Sequence, residues 1–514
     1  MLRRVLNLVL SRIVVTGVLL LLQAFWLFAL FYWLADYAKW FGGVGVAMSI
    51  IMCLALIRQD STVPEFKISW MILFAVMPVQ GGILYLLWGN KRPALGLRHR
   101  LERAEDAMAP ARKDDPDAAA ALQRQDPRAA LTARYLHDYG PMPVCGGTAA
   151  KYYPDGQSMF ADMLPALQGA QHSIYVESFI IGMGEMWGQI HEILRRKAAA
   201  GLDVRVIYDD AGCLSLLPHN YAEMMRADGI RAFSFNRCVP MLNLVMNNRD
   251  HRKIMVIDGK IGFTGGINLS DEYINRTSRL GHWKDTAIAL RGDAVRSLTL
   301  MFLQMWDVSS VHFTPEVYSK YLAVPQPAHE KEAGYVIPYG DSPLDRDLVG
   351  EMVYMDIINR ANRYVHIMTP YLIIDNEMIT ALTYAARRGV EVQLILPHVP
   401  DKEIAFSLAH TYYRRLLENG VQIYEYEPGF VHAKVFVSDD CKATVGTINL
   451  DYRSLYHHFE CGTYLYASPE VPKIEQDFQQ TLARCVRADA ELLKNDPFMR
   501  KLIGPGMRII APLL

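Results

Sequence analysis

One pattern occurs twice in this chain, and it limits the possible folds more than any other feature. His251-x-Lys253-x4-Asp258, followed by Gly265-Gly266-x-Asn268, returns as His432-x-Lys434-x4-Asp439, followed by Gly446-Thr447-x-Asn449. The copies carry their surroundings with them. Residues Arg195 to Ile207 and Thr383 to Ile395 each read as a helix end, a glycine stop at Gly201 or Gly389, and a buried strand, 188 positions apart. Asp228-Gly229-Ile230 and Asn419-Gly420-Val421 repeat the helix-glycine-strand step at an offset of 191. A duplicated α/β unit with strands alternating with helices accounts for both matches.

On a β-strand, positions i and i+2 share a face, so His251 with Lys253, and His432 with Lys434, each present an imidazole and an ammonium to one site. Asp258 and Asp439 stand at odd separation from the lysines, where Asp258-Gly259 and Asp439-Asp440 predict a turn. They are counted with the catalytic motifs, and their expected work is to fix the hairpin carrying the reactive strand. Asn268 and Asn449, beside glycines that let backbone approach a ligand, are expected to join Lys253 and Lys434 in binding phosphate oxygens. A histidine that exchanges protons needs a partner to hold its tautomer, and a carboxylate after each motif, Asp285 and Glu460, is the candidate.

Two imidazoles, two ammonium groups and two amides at the junction of a pseudo-dimer suit phosphodiester transfer in two steps, one histidine attacking phosphorus and the other protonating the leaving alcohol. Lysine and asparagine then meet the charge that a metal ion meets elsewhere, so no cofactor and no metal is expected. No H-E-x-x-H or comparable zinc cluster occurs, and His457-His458 are neighbours that project oppositely in a strand. With 53 Lys plus Arg against 54 Asp plus Glu, the net charge of −1 leaves no basic surplus for nucleic acid. Seven cysteines without C-x-x-C spacing read as reduced thiols.

Apolar residues make up 51% of the chain and concentrate at its start. Ile13 to Ala35 is an uncharged run of 23 residues, long enough to cross about 30 Å of hydrocarbon. Trp40 to Ile57 and Ile68 to Trp88 follow as a predicted hairpin of membrane helices, kinked where Pro78 and Gly81-Gly82 interrupt the second. Arg3, Arg4 and Arg12 precede the first span, while Lys91, Arg92, Arg98, Arg100 and Arg103 follow the third. Putting the larger cluster in the cytoplasm requires an outside N-terminus or a first segment lying in the interface. Residues 91–140 read as short solvated helices linking anchor to enzyme, their first basic residues either touching headgroups or simply hydrated. The expected divisions are 1–90 for the anchor, 141–325 for the first catalytic domain and 326–514 for the second.

The doubled His-x-Lys-x4-Asp pattern with its downstream Gly and Asn resembles the phospholipase D superfamily. The membrane hairpin with Phe66-Lys67-Ile68-Ser69-Trp70 and Gly81-Gly82-Ile83-Leu84-Tyr85, then Tyr175-Val176-Glu177, Thr369-Pro370-Tyr371 and the tail Arg508-Ile509-Ile510-Ala511-Pro512-Leu513-Leu514, is similar to the bacterial cardiolipin synthases. The resemblance implies two duplicated mixed-sheet α-β-α domains forming a pseudo-dimer behind transmembrane helices in the bacterial inner membrane. It also implies transfer of a phosphatidyl group between two phosphatidylglycerol molecules, giving cardiolipin and glycerol through a phosphohistidine. In the superfamily the first-motif histidine is commonly the nucleophile, which assigns that role to His251 and the acid/base role to His432. The residues leave open a membrane phospholipase D that hydrolyses the same bond, or a phosphatidyltransferase with another acceptor. A dead lipid-binding scaffold is disfavoured by the intact motifs. Two features depart from the resemblance: the run Ile13 to Ala35, and a long first-half connection from Arg231 to Asp250 containing Met241, Leu242, Leu244, Val245 and Met246.

Overall fold

A computed structural model describes residues 42–59, 64–85, 95–238, 248–310, 333–345, 347–489 and 497–513, with scattered positions between 21 and 33 and residues 318 and 322. The predicted span Ile13 to Ala35, apart from those scattered positions, and the apolar stretch 241–246 lie outside the described residues.

Two sheets share one topology. The first contains β1 (Thr148–Tyr153), β2 (Ser173–Ser178), β3 (Asp203–Asp209), β4 (Arg231–Phe235), β5 (Ile254–Ile257), β6 (Ile261–Gly265) and β7 (Ala287–Gly292) in the order β1-β7-β6-β5-β2-β3-β4. The second contains β8 (Tyr335–Asp341), β9 (Tyr364–Met368), β10 (Glu391–Pro397), β11 (Gln422–Tyr426), β12 (Val435–Ser438), β13 (Lys442–Gly446), β14 (His458–Tyr466) and β15 (Cys485–Arg487). Its order is β8-β14-β13-β12-β9-β10-β11-β15, the same path with one strand added at the edge. In each sheet β2-β3-β4 or β9-β10-β11 run parallel and the motif hairpin pairs antiparallel beside them. The parallel strands are buried on both faces, which is why Val204, Val206 and Ile207, and Val392, Leu394 and Ile395, read as near-continuous apolar runs.

The halves meet along their motif strands. Val256 of β5 and Val435 and Val437 of β12 belong to one apolar cluster with Tyr175, Phe302 and Phe459. The helix Val295–Ser309 runs through that cluster and is buried all round except at Arg296 and Ser309, its apolar residues falling on every face and its polar Ser297, Thr299, Gln304 and Asp307 buried with them. Phe302 stacks on Tyr175 with ring centres 4.9 Å apart. Helices Gly156–Gln168 and Glu185–Ala199 cover the outer face of the first sheet, and Val349–Asn359, Asn376–Arg387 and Glu403–Leu417 that of the second.

Two expectations change. The segment read as a solvated linker folds into helices Leu95–Met108, Pro116–Gln125 and Pro127–Asp138, which bury Leu101, Ala104 and Met108 on the first half and Leu122, Ala129, Ala133 and Leu136 on the second. Their alanine stripes are packing surfaces for close approach, which composition alone does not distinguish from hydration. In the hairpin, the helices are Gly42–Ile57, Pro64–Val76 and Pro78–Leu84, broken at Met77 ahead of the proline. Ser49 donates to the Phe74 carbonyl at 2.7 Å across it. No helix among the described residues is long and apolar enough to cross a membrane. The connection Arg231 to Asp250 begins as β4 and ends in the short strand Arg249–Asp250.

Candidate active site

The two halves exchange strands at the site. Arg249–Asp250 pairs in parallel with the start of β14, matching Arg249 to His458 and Asp250 to Phe459. Gly429–Val431 pairs in parallel with His282–Lys284 of the first half, matching Val431 to Lys284. Each ladder continues by one backbone bond: the His251 N–H donates to the Phe459 carbonyl at 2.9 Å, and the His432 N–H to the Lys284 carbonyl at 2.7 Å. The next residue opposite His251 is therefore Glu460, and the next opposite His432 is Asp285.

The side chains follow that register. His251 Nδ1 lies 2.9 Å from Glu460 Oε1 and 3.0 Å from Oε2, and His432 Nδ1 lies 2.7 Å from Asp285 Oδ2. Both carboxylates sequence reasoning singled out are histidine partners, but each orients the histidine of the other half, not the one it follows. Parallel inter-half pairing produces this crossing, and a single copy of the motif carries no sign of it.

Burial keeps both imidazoles neutral. It lowers His251 well below the ordinary histidine value, against the pull of Glu460 and with help from Lys253. It brings His432 to about 4, reinforced by Lys434 and opposed by Asp285. Burial alone would raise Glu460, but contact with His251 holds its carboxylate ionised well below its usual range. A neutral imidazole donating through Nδ1 to an ionised carboxylate keeps its lone pair on Nε2, the state a nucleophile or base requires.

Lys253 and Lys434 point the same way as their histidines. Lys253 Nζ donates to the His251 carbonyl at 2.6 Å, and Lys434 Nζ makes the equivalent bond to the His432 carbonyl. Burial pushes Lys253 down to about 8, opposed first by Glu460, and Lys434 down to about 7, opposed first by Asp285. Each lysine also senses the other half's carboxylate, so the four groups converge on one space.

Asp258 and Asp439 are not in that space. They sit at the far end of their strands in left-handed turns with φ of 54°. Asp258 accepts the backbone N–H groups of Gln171, His172 and Ser173 at 2.7–2.9 Å, and Asp439 those of Asn362, Arg363 and Tyr364 at 2.8–3.1 Å. These contacts fit the hairpin-fixing work expected of the two aspartates within the motifs: they clamp the start of β2 and β9 to the hairpin.

The asparagines differ from each other. Asn268 accepts the Ile180 N–H at 3.0 Å and donates to the Tyr273 hydroxyl at 2.7 Å, so it builds the wall and keeps one amide hydrogen for a ligand. Asn449 is buried, and its amide oxygen has no hydrogen-bond partner among the described residues. The one motif mismatch, Thr447 for Gly266, also has a cause. A Cβ at Gly266 would lie 2.1 Å from Asp285 Oδ1, whereas Thr447 donates its hydroxyl to Glu460.

Sequence reasoning missed several neighbours. Phe179 packs against His251 at 4.9 Å between ring centres, and Tyr273 and Trp283 against His432 at 5.4 and 5.5 Å. Arg252, the residue between the first His and Lys, is buried and ion-paired to Glu177 at 2.7 Å, where the second half has Ala433. His458, read as one of two diverging neighbours, faces inward 5.4 Å from the His251 ring. The Glu177 of Tyr175-Val176-Glu177 was the available signal for Arg252; the aromatic walls had none.

Comparison with known proteins gives consistent matches. The family model described as "Cardiolipin synthase, PLD-like domain" matches residues 163–306 and 354–482, and "Phospholipase_D-nuclease N-terminal" matches 46–90. An uncharacterised protein of Streptococcus mutans is 46% identical over 87% of this chain and 96% of its own length. A cardiolipin synthase of Alkalihalophilus pseudofirmus is 33% identical over 91% of this chain and 92% of its own. The crystal structure of phosphatidylserine synthase from Haemophilus influenzae superposes with a TM-score of 0.57 at 16% identity, covering 75% of this chain and 100% of that one, a likeness of fold.

Proposed function

This chain belongs to the family of cardiolipin synthases with PLD-like domains, and on that premise we propose that it condenses two phosphatidylglycerol molecules into cardiolipin and glycerol through a phosphohistidine. The observation that carries the reading is the pair of crossed histidine–carboxylate contacts, which leave two neutral imidazoles in one buried space with two lysines.

In the first step His251 Nε2 attacks phosphorus, a P–N bond forms, and the P–O bond to the headgroup glycerol breaks. The anionic phosphodiester favours a proton on His432, which His432 Nε2 delivers to the departing alkoxide. In the second step the glycerol hydroxyl of another phosphatidylglycerol gives its proton back to His432 and attacks phosphorus, and the P–N bond breaks. Lys253, Lys434, the remaining amide hydrogen of Asn268 and the amide of Asn449 bind the non-bridging oxygens. Asp285 and Glu460 hold the tautomers and stabilise whichever imidazolium forms.

We place the hairpin of residues 42–85 in the bacterial inner membrane as part of a multi-pass anchor, with the catalytic halves on the cytoplasmic side and phosphatidylglycerol and cardiolipin as the lipid partners. Its exposed Val46, Ile50, Ile51, Leu54 and Ile57 support this placement. The proposed divisions remain 1–90, 141–325 and 326–514, with the intervening helices counted as catalytic-core packing.

The test uses the full chain in phosphatidylglycerol vesicles with EDTA present. Cardiolipin and free glycerol in equal amounts are expected, with transfer lost in His251→Ala and in His432→Ala. Phosphatidic acid as the sole lipid product would overturn the synthase reading, and full activity in either variant would remove that histidine from the mechanism.

A further inference from the structure

His458 belongs to no step of the transfer, and its surroundings are unusual. It is 8% exposed, and neither ring nitrogen has a hydrogen-bond partner among the described residues. Two buried polar atoms left unpaired in a protein interior are costly, and they point to something that fills them. The ring lies between Phe179, His251 and Glu460.

Its donors also have a common focus. Glu460 Oε1 is 2.9 Å from His251 Nδ1 and 3.7 Å from His458 Nδ1, and one ligand atom from each of the three residues lies within 4.8 Å of the others. A tetrahedral zinc ion, with bonds of about 2.0–2.2 Å, spaces its ligand atoms by about 3.3–3.5 Å, so these separations bracket the requirement. We infer that His251, His458 and Glu460 form a binding site for a borderline divalent metal ion such as Zn²⁺, and that the bound ion switches the transfer off.

The chemistry of the switch follows from the tautomer. The neutral His251 ring carries one hydrogen, on Nδ1, aimed at Glu460. The ring's hydrogen first moves from Nδ1 to Nε2 through solvent, with no net proton gained or lost, and Zn²⁺ then bonds to the lone pair this exposes on Nδ1. Nε2 then has no lone pair to offer phosphorus. Two imidazoles and one carboxylate select zinc over Mg²⁺ or Ca²⁺, which demand more oxygen ligands, and the nearby Lys253 ammonium opposes any cation that imidazole does not hold strongly. The sequence argument against zinc rested on the lack of an H-E-x-x-H or comparable cluster and on His457 and His458 diverging; the ion needs only His458, with its other two ligands, Glu460 from β14 and His251 from the opposite half, brought in by the fold.

The inhibition rests on the transfer reading, but the binding does not, and the experiment separates them. Untagged full-length chain in detergent micelles is stripped of metal and titrated with ZnCl₂ by calorimetry, beside His458→Asn and His458→Gln. The wild type is expected to bind one Zn²⁺ more than either variant, or to bind it at least about tenfold more tightly. Co²⁺ in the wild type should give the intense visible absorption of a tetrahedral nitrogen-and-oxygen site, a readout that needs no variant. Zn²⁺ should inhibit glycerol release from phosphatidylglycerol reversibly with EDTA, while the two variants stay active and at least about tenfold less sensitive. Equal zinc binding in all three chains, absence of the cobalt absorption, or bound zinc without inhibition would each overturn the proposal. Zinc binding lost in both variants, in a chain that makes no cardiolipin, would support the metal site and count against the transfer reading.

Discussion

A neutral imidazole attacks only through the nitrogen that lacks a hydrogen, so the partner of Nδ1 decides whether His251 and His432 can react at all. Those partners are Glu460 and Asp285, each from the opposite half. Glu460→Gln keeps the shape and removes the charge; kcat should fall by about 10²–10⁴-fold with KM little changed. Nitrogen NMR should show the His251 tautomer disturbed by Glu460→Gln and untouched by Asp285→Asn, and the reverse result would refute the crossed pairing. The lysines predict a pH limb. Burial has lowered Lys434 to about 7 and Lys253 to about 8 from 10.5, so each is an ammonium below that value and a neutral amine above it. Accordingly kcat/KM should fall as pH rises through about 7 to 8, while a bound phosphodiester stabilises the ammonium and moves the limb of kcat to higher pH. A profile of kcat/KM that stays flat to pH 10 would show that neither ammonium is needed. The histidines, lysines and asparagines were legible because a residue's own type and spacing announce its chemistry. The crossed partnership was not, since it depends on how two distant strands pair.

Among the elements, the motif hairpins carry the most information. The turn residues Asp258-Gly259 and Asp439-Asp440 all have positive φ, a left-handed backbone that Asp and Gly tolerate, and the sequence showed the turn for that reason. It did not show that the aspartates reach back to three backbone N–H groups each. Asp258→Asn retains tolerance of the left-handed turn and loses a charged acceptor, which should cost about 1–3 kcal/mol in thermal unfolding. Asp439 accepts from more exposed amides, so Asp439→Asn should cost less; the opposite order would contradict the clamp. Neither substitution should move the pH limb, because neither side chain reaches the reactive space. The helices before β1 mislead in sequence for a related reason: an alanine stripe looks the same whether it faces water or a partner.

At the scale of the molecule, neither half holds a complete reactive histidine. Two co-expressed fragments divided between residues 311 and 332 should release glycerol from phosphatidylglycerol, and each fragment alone should be inactive. Activity in a single fragment would mean that a histidine finds its carboxylate within its own half. The helical hairpin and the C-terminal helix Phe498–Ile510 also come to one face of the second half. Phe66 rings edge against Tyr452, Tyr456 and His457, and Ser69 donates to the Ile509 carbonyl at 2.6 Å. The helix Tyr452–Tyr456 that receives Phe66 leads straight into β14 and Glu460, so the N-terminal hairpin packs on the segment that sets His251.

The exchanged strands bear finally on inheritance. A histidine and its carboxylate stand 209 positions apart in one pair and 147 in the other, and each pair straddles the repeat boundary. A change that suits one repeat by itself is therefore judged by its effect on the other, and the copies are bound to drift as a couple. Recombination that swapped a single repeat for a foreign one would break both partnerships at once, whereas substitution of the whole tandem would leave them intact.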